Sequence, residues 1–272
     1  MTKNIIKQFN VYELHAIDLL HLSIMKNRLF FQCSYDGCNY SGWQKQPNAI
    51  TIEEEIEKKL AQLFPKEEIK IVGCGRTDAG VHSLQSFFHI DLPQNYSLSQ
   101  LHFKLNNMLP KDIAIDNIFE VDDEAHARFD ATKRTYHYFI HQNKSPFLQN
   151  NSWFFPHKLN VEDMNEAANL LLGKQDFTSF SKLHTDVNNN FCEIYSAKWE
   201  FVGKQLRFEI CANRFLRGMV RAIVGTLLEV GQGKIEIFDI QSIIQAKNRS
   251  EAGYSVPAKG LYLAKVEYPY ID

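Results

Sequence analysis

No apolar run in this chain approaches the roughly 20 residues that a membrane-spanning helix needs. The Leu-rich stretch Leu19-Leu20-His21-Leu22 is too short for a signal core and is interrupted by Asp18 and His21. Cysteine is sparse and odd in number: Cys33, Cys38, Cys74, Cys192 and Cys211 make five, with no C-x-x-C among them. That pattern argues against an extracellular disulfide framework and against a zinc site, and predicts reduced thiols in a cytoplasmic protein without a metal. An excess of one charge is also lacking, since 30 basic residues face 32 acidic ones for a net −2. A strongly basic balance would point to nucleic acid directly; here only local basic clusters could do so. Neither the phosphate loop G-x-x-x-x-G-K-[ST] nor the dinucleotide fingerprint G-x-G-x-x-G occurs, so no nucleotide cofactor is expected. Low-complexity segments and short repeats are missing as well.

What is present is an ordinary folding composition, 44% hydrophobic and 23% charged, over 272 residues. That length suits about two domains and a core that needs no staple. Alternation at Leu29, Phe31, Cys33 and Tyr35 predicts a strand ending at Asp36-Gly37. Thr51 with Glu54 forms a capping box, and Ile52, Ile56, Leu60 and Phe64 mark the apolar face of a helix that Pro65 stops. Glu54–Lys58 and Glu55–Lys59 are its expected charge pairs. Strands are expected at Ile69–Cys74, Gln85–Asp91, Ile113–Glu120 and Thr135–His141, with a helix over Leu98–Met108. Asn160 caps a further helix that Gly173 closes. Ile194–Val202 and Gln205–Ala212 read as a hairpin about Gly203-Lys204. A long amphipathic helix carrying Phe215, Met219, Ile223 and Leu227 follows, then a helix over Phe238–Ala246 and a strand over Leu261–Tyr268. The class is α+β: two mixed α/β halves with antiparallel-rich sheets. The expected division is an N-terminal extension of unknown role, 1–24, an N-terminal α/β domain, 25–140, and a C-terminal α/β domain, 141–272. Met25, followed at once by a strand pattern, is an alternative translation start.

One segment stands out chemically: Gly73-Cys74-Gly75-Arg76-Thr77-Asp78-Ala79-Gly80-Val81-His82. Glycines between two strands permit tight backbone and would hold Arg76 and Asp78 on an exposed turn. By itself this is also what a turn looks like when its Asp caps its own backbone. Tyr136, Tyr138 and Ile140 share one face of a strand, where a Tyr ordinarily serves the core. Arg214, Arg217 and Arg221 are spaced to share a broad helical face. With Arg128, Lys133 and Arg134 they form local basic groups in a nearly neutral chain, suited to phosphates; Lys45 and Lys182 would extend the groove.

The octapeptide Gly75–His82 resembles the signature of the TruA family of tRNA pseudouridine synthases. Further stretches resemble that family in the same order. These are Tyr35-Asp36-Gly37 with Tyr40-Ser41-Gly42-Trp43-Gln44; Leu105-Asn106 with Leu109-Pro110 and Asp112-Ile113; and His126–Ala131 with Arg134-Thr135-Tyr136-His137-Tyr138. Asp176–Phe180, Phe215–Arg221 and Gly260–Leu263 complete the set. Ala125 departs from it, standing where the family has an aromatic residue.

The resemblance implies the pseudouridine synthase fold, its two halves meeting at a central RNA-binding cleft, and an isomerase that turns uridine into pseudouridine at positions 38, 39 and 40 of the tRNA anticodon stem-loop. It implies Asp78 as nucleophile, Arg221 as the partner of its carboxylate, Arg76 in extruding the target base, and Tyr136 as the ring packed on the uracil. Arg128, Arg134, Arg214 and Arg217 would contact phosphates. The implied assembly is a homodimer bound to tRNA, in the cytoplasm and off the membrane. The reaction breaks N1–C1′, rotates the uracil and joins C5 to C1′, which needs neither cofactor nor metal. Other readings are a catalytically inactive tRNA-binding or folding protein and, from the Arg-Asp loop alone, a nucleoside hydrolase-like enzyme.

Overall fold

The computed structural model describes residues 26–93, 96–182 and 189–271; the N-terminal extension expected at 1–24 lies outside them. Strand β1, Lys26–Tyr35, is covered on both faces. Leu29, Phe31, Cys33 and Tyr35 enter one core, while Phe30 enters another. Helix α1, Ile52–Leu63, begins as its capping box predicts, with the Thr51 side chain accepting the Glu54 N–H. Ile52, Ile56 and Leu60 are fully buried beneath it. On the wet side Glu54 and Glu55 both reach Lys58, at 3.4 and 3.1 Å, so Glu55 turns to Lys58 rather than Lys59.

The chain continues through β2 (Val72–Gly73), β3 (His82–Pro93), α2 (Leu98–Met108) and β4 (Ile113–Glu120). The strand expected at Ile69–Cys74 shrinks to β2 because only Val72 and Gly73 find ladder partners, His89 and Phe88. The second half comprises β5 (Lys133–His141), β6 (Trp153–Phe154), α3 (Val161–Asn169) and β7 (Gly173–Asp176). Then come β8 (Phe191–Val202), β9 (Gln205–Ala212), α4 (Met219–Gly231), α5 (Asp239–Ala246) and β10 (Leu261–Glu267). Helix α3 ends early. The N–H groups of Leu170, Leu171 and Leu172 bond back to Ala167, Ala168 and Asn169 in a tightened last turn, and Gly173 opens β7.

Among the described residues all the strands belong to one ten-stranded sheet, ordered β4-β1-β3-β10-β5-β9-β8-β7, with β2 added to β3 and β6 to β5. It is largely antiparallel, but β10 runs parallel to β3 through Tyr262↔His82 and Leu263↔Ser83. The last strand of the chain is thus seated between the two halves, antiparallel to β5 on its other edge. Helices α1 and α2 share a core with β1, β3 and β4. Helices α3, α4 and α5 share a larger one with β5, β8 and β9. A smaller cluster joins Phe30, Phe87, Leu263 and Val266 to the segment carrying Ala125, Ala127 and Ala131. Where an aromatic was expected from the family pattern, Ala125 is simply buried in that cluster.

Inside this third cluster His89 accepts the Ala127 N–H at Nδ1 (3.1 Å) and lies over Phe30 at 5.7 Å between ring centroids. Burial, then the charges of Arg28 and His126, push its pKa down from 6.5 to about 4. The folded protein holds the ring neutral where the unfolded chain would protonate it. The unfolded state therefore binds more protons between these values, and stability falls as pH drops from 6.5 toward about 4. Thermal melts across that window should show a steeper loss for the wild type than for His89→Asn.

Candidate active site

The loop between β2 and β3 is pinned by its backbone and by Thr77, leaving the Asp78 carboxyl partly exposed. Thr77 is buried. Its hydroxyl meets the Tyr35 hydroxyl at 3.0 Å, and its carbonyl accepts the Trp43 N–H at 3.2 Å. The Gly80 N–H donates to the Tyr40 carbonyl, and the Val81 N–H to that of Asp78. Two glycines make the arrangement possible. Gly80 has φ +75°, and Gly42 has φ +96° with a Cβ position only 2.4 Å from the Thr77 oxygen. The Tyr40–Trp43 stretch is therefore the mould against which the Asp78 loop is set.

Two guanidinium groups face the carboxylate. Arg221 Nη1 is 3.5 Å from Oδ2, and Arg217 Nε is 3.8 Å from Oδ1. These are ion-pair distances at or beyond the outer edge of hydrogen bonding, so the coupling is mainly electrostatic and the oxygens keep room for a ligand. Arg221 is the fixed member. Its Nε donates to the Val256 carbonyl at 2.6 Å, its own carbonyl accepts the Val256 N–H, and its side chain is 22% exposed against 61% for Arg217. The Tyr138 hydroxyl holds the adjoining Pro257 carbonyl at 2.8 Å, so the strand carrying Tyr136 and the helix carrying Arg221 are tied through one segment.

Arg214 and Arg217 do not share a helical face with Arg221. Gly218 takes the left-handed conformation at φ 73°, and α4 starts only after it. This break lets Arg217 reach Asp78 from a loop. Arg214 is half-buried on the same loop.

Tyr136 lies where the two cores flanking β5 meet, its ring edge-on to Phe215 at 5.1 Å. Burial first, then Cys74 and the Asp78 carboxylate, drive its phenol pKa up, so the ring is neutral. Sequence reasoning assigned Phe215 to a helical stripe and missed this contact; the signal available was its place in the Phe215–Arg221 motif. Arg76 is exposed and donates to Gln44, its Nε 3.1 Å from Oε1. Gln44 in turn donates to the buried Glu53 at 2.7 Å. Of the outlying basic residues, Lys45 is paired with Glu57 at 3.2 Å and Lys133 with Glu267 at 3.7 Å, while Lys182 is exposed.

Arg134 is engaged inward. Nη1 donates to the carbonyls of Ala131 and Asn213, both at 2.9 Å, and Nη2 to those of Arg128 at 2.8 Å and Cys74 at 3.3 Å. One side chain thus ties the foot of the Asp78 loop to the 126–131 turn and to the start of the Arg214–Arg217 loop. Arg128, by contrast, is exposed.

Among the described residues, Asp36, Cys38 and His82 place one possible metal ligand each within 4.8 Å of one another. Their donors are already engaged. Asp36 accepts the Cys38 N–H, His82 Nδ1 accepts the Gly37 N–H, and Nε2 faces the carbonyls of Asn150 and Lys259. Burial and the nearby Asp36 push the Cys38 thiol up to about 11, away from the thiolate a metal needs.

A carboxylate facing two cations beside a neutral aromatic ring suits a planar substrate that carries negative charge. The chain matches the profile of the tRNA pseudouridine synthase family over residues 33–130 and 167–269. The tRNA pseudouridine synthase A of Parabacteroides distasonis is 50% identical over 243 residues, 89% of this chain and 96% of that one. The protein of the same name from Porphyromonas gingivalis is 48% identical, covering 89% and 97%, and that of Bacillus subtilis is 41% identical, covering 89% and 99%. This chain belongs to the tRNA pseudouridine synthase family.

Proposed function

We propose that the protein isomerises uridine to pseudouridine at positions 38, 39 and 40 in the anticodon stem-loop of tRNAs. The observation that carries this reading is the Asp78 carboxylate facing Arg221 and Arg217 beside the ring of Tyr136. In the reaction the N1–C1′ bond breaks, the uracil turns, and a C5–C1′ bond forms as the C5 proton leaves and N1 regains one, so substrate and product are isomers. Asp78 serves as the nucleophile, with Arg221 facing its carboxylate at 3.5 Å and orienting it. A base inside a stem is out of reach of any such group and must be extruded at a cost of a few kcal/mol. Arg76 assists that step from the rim, where its tether to Gln44 is easily released. Tyr136 packs against the extruded uracil, and a neutral phenol wedged against Phe215 loses little freedom in doing so. Arg128, Arg214 and Arg217 meet phosphates. The working form is a homodimer in the cytoplasm.

The test is incubation of the purified protein with unmodified tRNA transcripts, followed by mapping of pseudouridine. Conversion confined to the 3′ side of the anticodon arm is expected. Binding without conversion would favour an inactive tRNA-binding protein, and conversion elsewhere would overturn the site assignment.

A further inference from the structure

The turn over residues 126–131 is built more rigidly than a surface turn requires. The His126 ring accepts the N–H groups of Arg128 and Phe129 at 3.1 and 3.3 Å. Asp130 accepts the His126 N–H at 2.7 Å and the Tyr270 hydroxyl at 2.8 Å. Tyr268 donates to the Ala127 carbonyl, His89 accepts the Ala127 N–H, and Arg134 takes the carbonyls of Arg128 and Ala131. What this scaffold displays is an aromatic ring. Phe129 is 73% exposed, backed on one side by His126 at 4.3 Å between centroids and approached by the Arg128 guanidinium at 5.7 Å.

An exposed phenylalanine alone means nothing, and Phe103, Phe147, Phe201 and Phe238 are comparably open. Position separates them. Among the described residues the segments bearing those four share no guanidinium with the Asp78 loop, whereas Arg134 Nη2 donates both to Arg128 and to Cys74 at that loop's foot. A ring held rigid, backed by a second ring, flanked by a cation and fixed beside the catalytic loop has the parts of a single-strand nucleic-acid subsite, namely a stacking platform with a phosphate partner.

We propose that Phe129 and Arg128 form a second nucleotide subsite, in which Phe129 stacks on an unpaired base neighbouring the target uridine and Arg128 meets that nucleotide's phosphate. The inference rests on the functional reading above. Because every base has a π-face, the subsite tolerates different bases, which suits an enzyme acting at adjacent positions. The turn is also pre-ordered by its own hydrogen bonds, so little conformational freedom is lost when RNA binds.

The experiment compares wild type with Phe129→Ala, Phe129→Leu, Phe129→Tyr and Arg128→Gln, using an unmodified tRNA transcript as the probe for binding and for single-turnover conversion. Removing the ring should weaken tRNA binding by about 5- to 100-fold, with the loss falling on KM rather than kcat. Tyr should restore binding and Leu should not, since the contact needs a π-face rather than bulk. Arg128→Gln should lower the slope of log K against log salt by roughly 0.7 to 1. Equal binding by wild type, Phe129→Ala and Phe129→Leu overturns the subsite while leaving the function intact, and so does full rescue by Leu. Wild-type protein that neither binds nor converts tRNA overturns the functional reading and this one with it.

Discussion

Asp78→Asn protein is expected to bind unmodified tRNA at least as well as wild type and to convert essentially none of it, with turnover reduced by roughly 10⁴-fold or more. The substitution keeps the side chain's shape and removes its charge and its nucleophilic oxygen pair. The loop's fold does not depend on that carboxylate. It is held by Thr77 against Tyr35 and Trp43 and by Gly80 against Tyr40. Among the described residues the cationic partners of the Asp78 carboxylate are Arg217 and Arg221, at 3.8 and 3.5 Å, and Arg221 keeps its bond to Val256 without it. Loss of one negative charge beside two guanidinium groups makes the site more attractive to a polyanion. Tight binding with no turnover separates lost chemistry from a damaged fold, which would weaken both. Parallel single-turnover conversion and tRNA titration check it, and an Asn variant converting at more than a few per cent of the wild-type rate would remove Asp78 from the nucleophile's role.

Local rules carried the sequence reading a long way where a segment's structure is decided by its own residues. The strand read from alternation over 28–35, the Thr51 cap on the Glu54 N–H and the hairpin about Gly203 all appear in place. What stayed hidden depends on partners distant in the chain. Strands β6 and β7 are two and four residues long and exist because β5 and β8 offer them free edges; Trp153-Phe154 has no pattern of its own. The continuity of the sheet rests on β10 entering between β3 and β5, and periodicity names no partners. In the candidate site, the motifs named Asp78 and Arg221 as partners and the fold sets them 3.5 Å apart, yet the break at Gly218 was not legible, so Arg214 and Arg217 were drawn onto a helix they precede. Arg134 is the sharpest case. Beside Lys133 and Arg128 in sequence it reads as one more phosphate ligand, and only the folded chain brings four carbonyls from three loops around it.

Replacing Arg134 by Lys or Met should therefore destabilise the protein and misplace its active site, while leaving the salt dependence of tRNA binding near that of wild type. Four backbone carbonyls lose donors that water cannot fully replace in a part-buried position. At about 1–3 kcal/mol for each acceptor left wholly unsatisfied, and with partial access to solvent, a loss of about 3 kcal/mol in unfolding free energy is expected from denaturant titration. Lys should rescue little, because one ammonium on a flexible stem cannot span the planar fork that joins Cys74 and Arg128 on one nitrogen to Ala131 and Asn213 on the other. Freed from that fork, the Asp78 loop and the loop bearing Arg217 shift relative to Tyr136, and a displacement of about 1 Å is enough to slow chemistry about 10²-fold. A phosphate ligand would behave differently. Its loss would leave folding near wild type and reduce the salt slope of binding by roughly 0.7 to 0.9. Measuring stability, single-turnover rate and salt slope on the same Arg134→Lys protein distinguishes the two: a stable variant with a reduced slope returns Arg134 to the RNA-binding surface, and a destabilised, slow variant with an unchanged slope makes it the side chain on which three loops of the active site are hung.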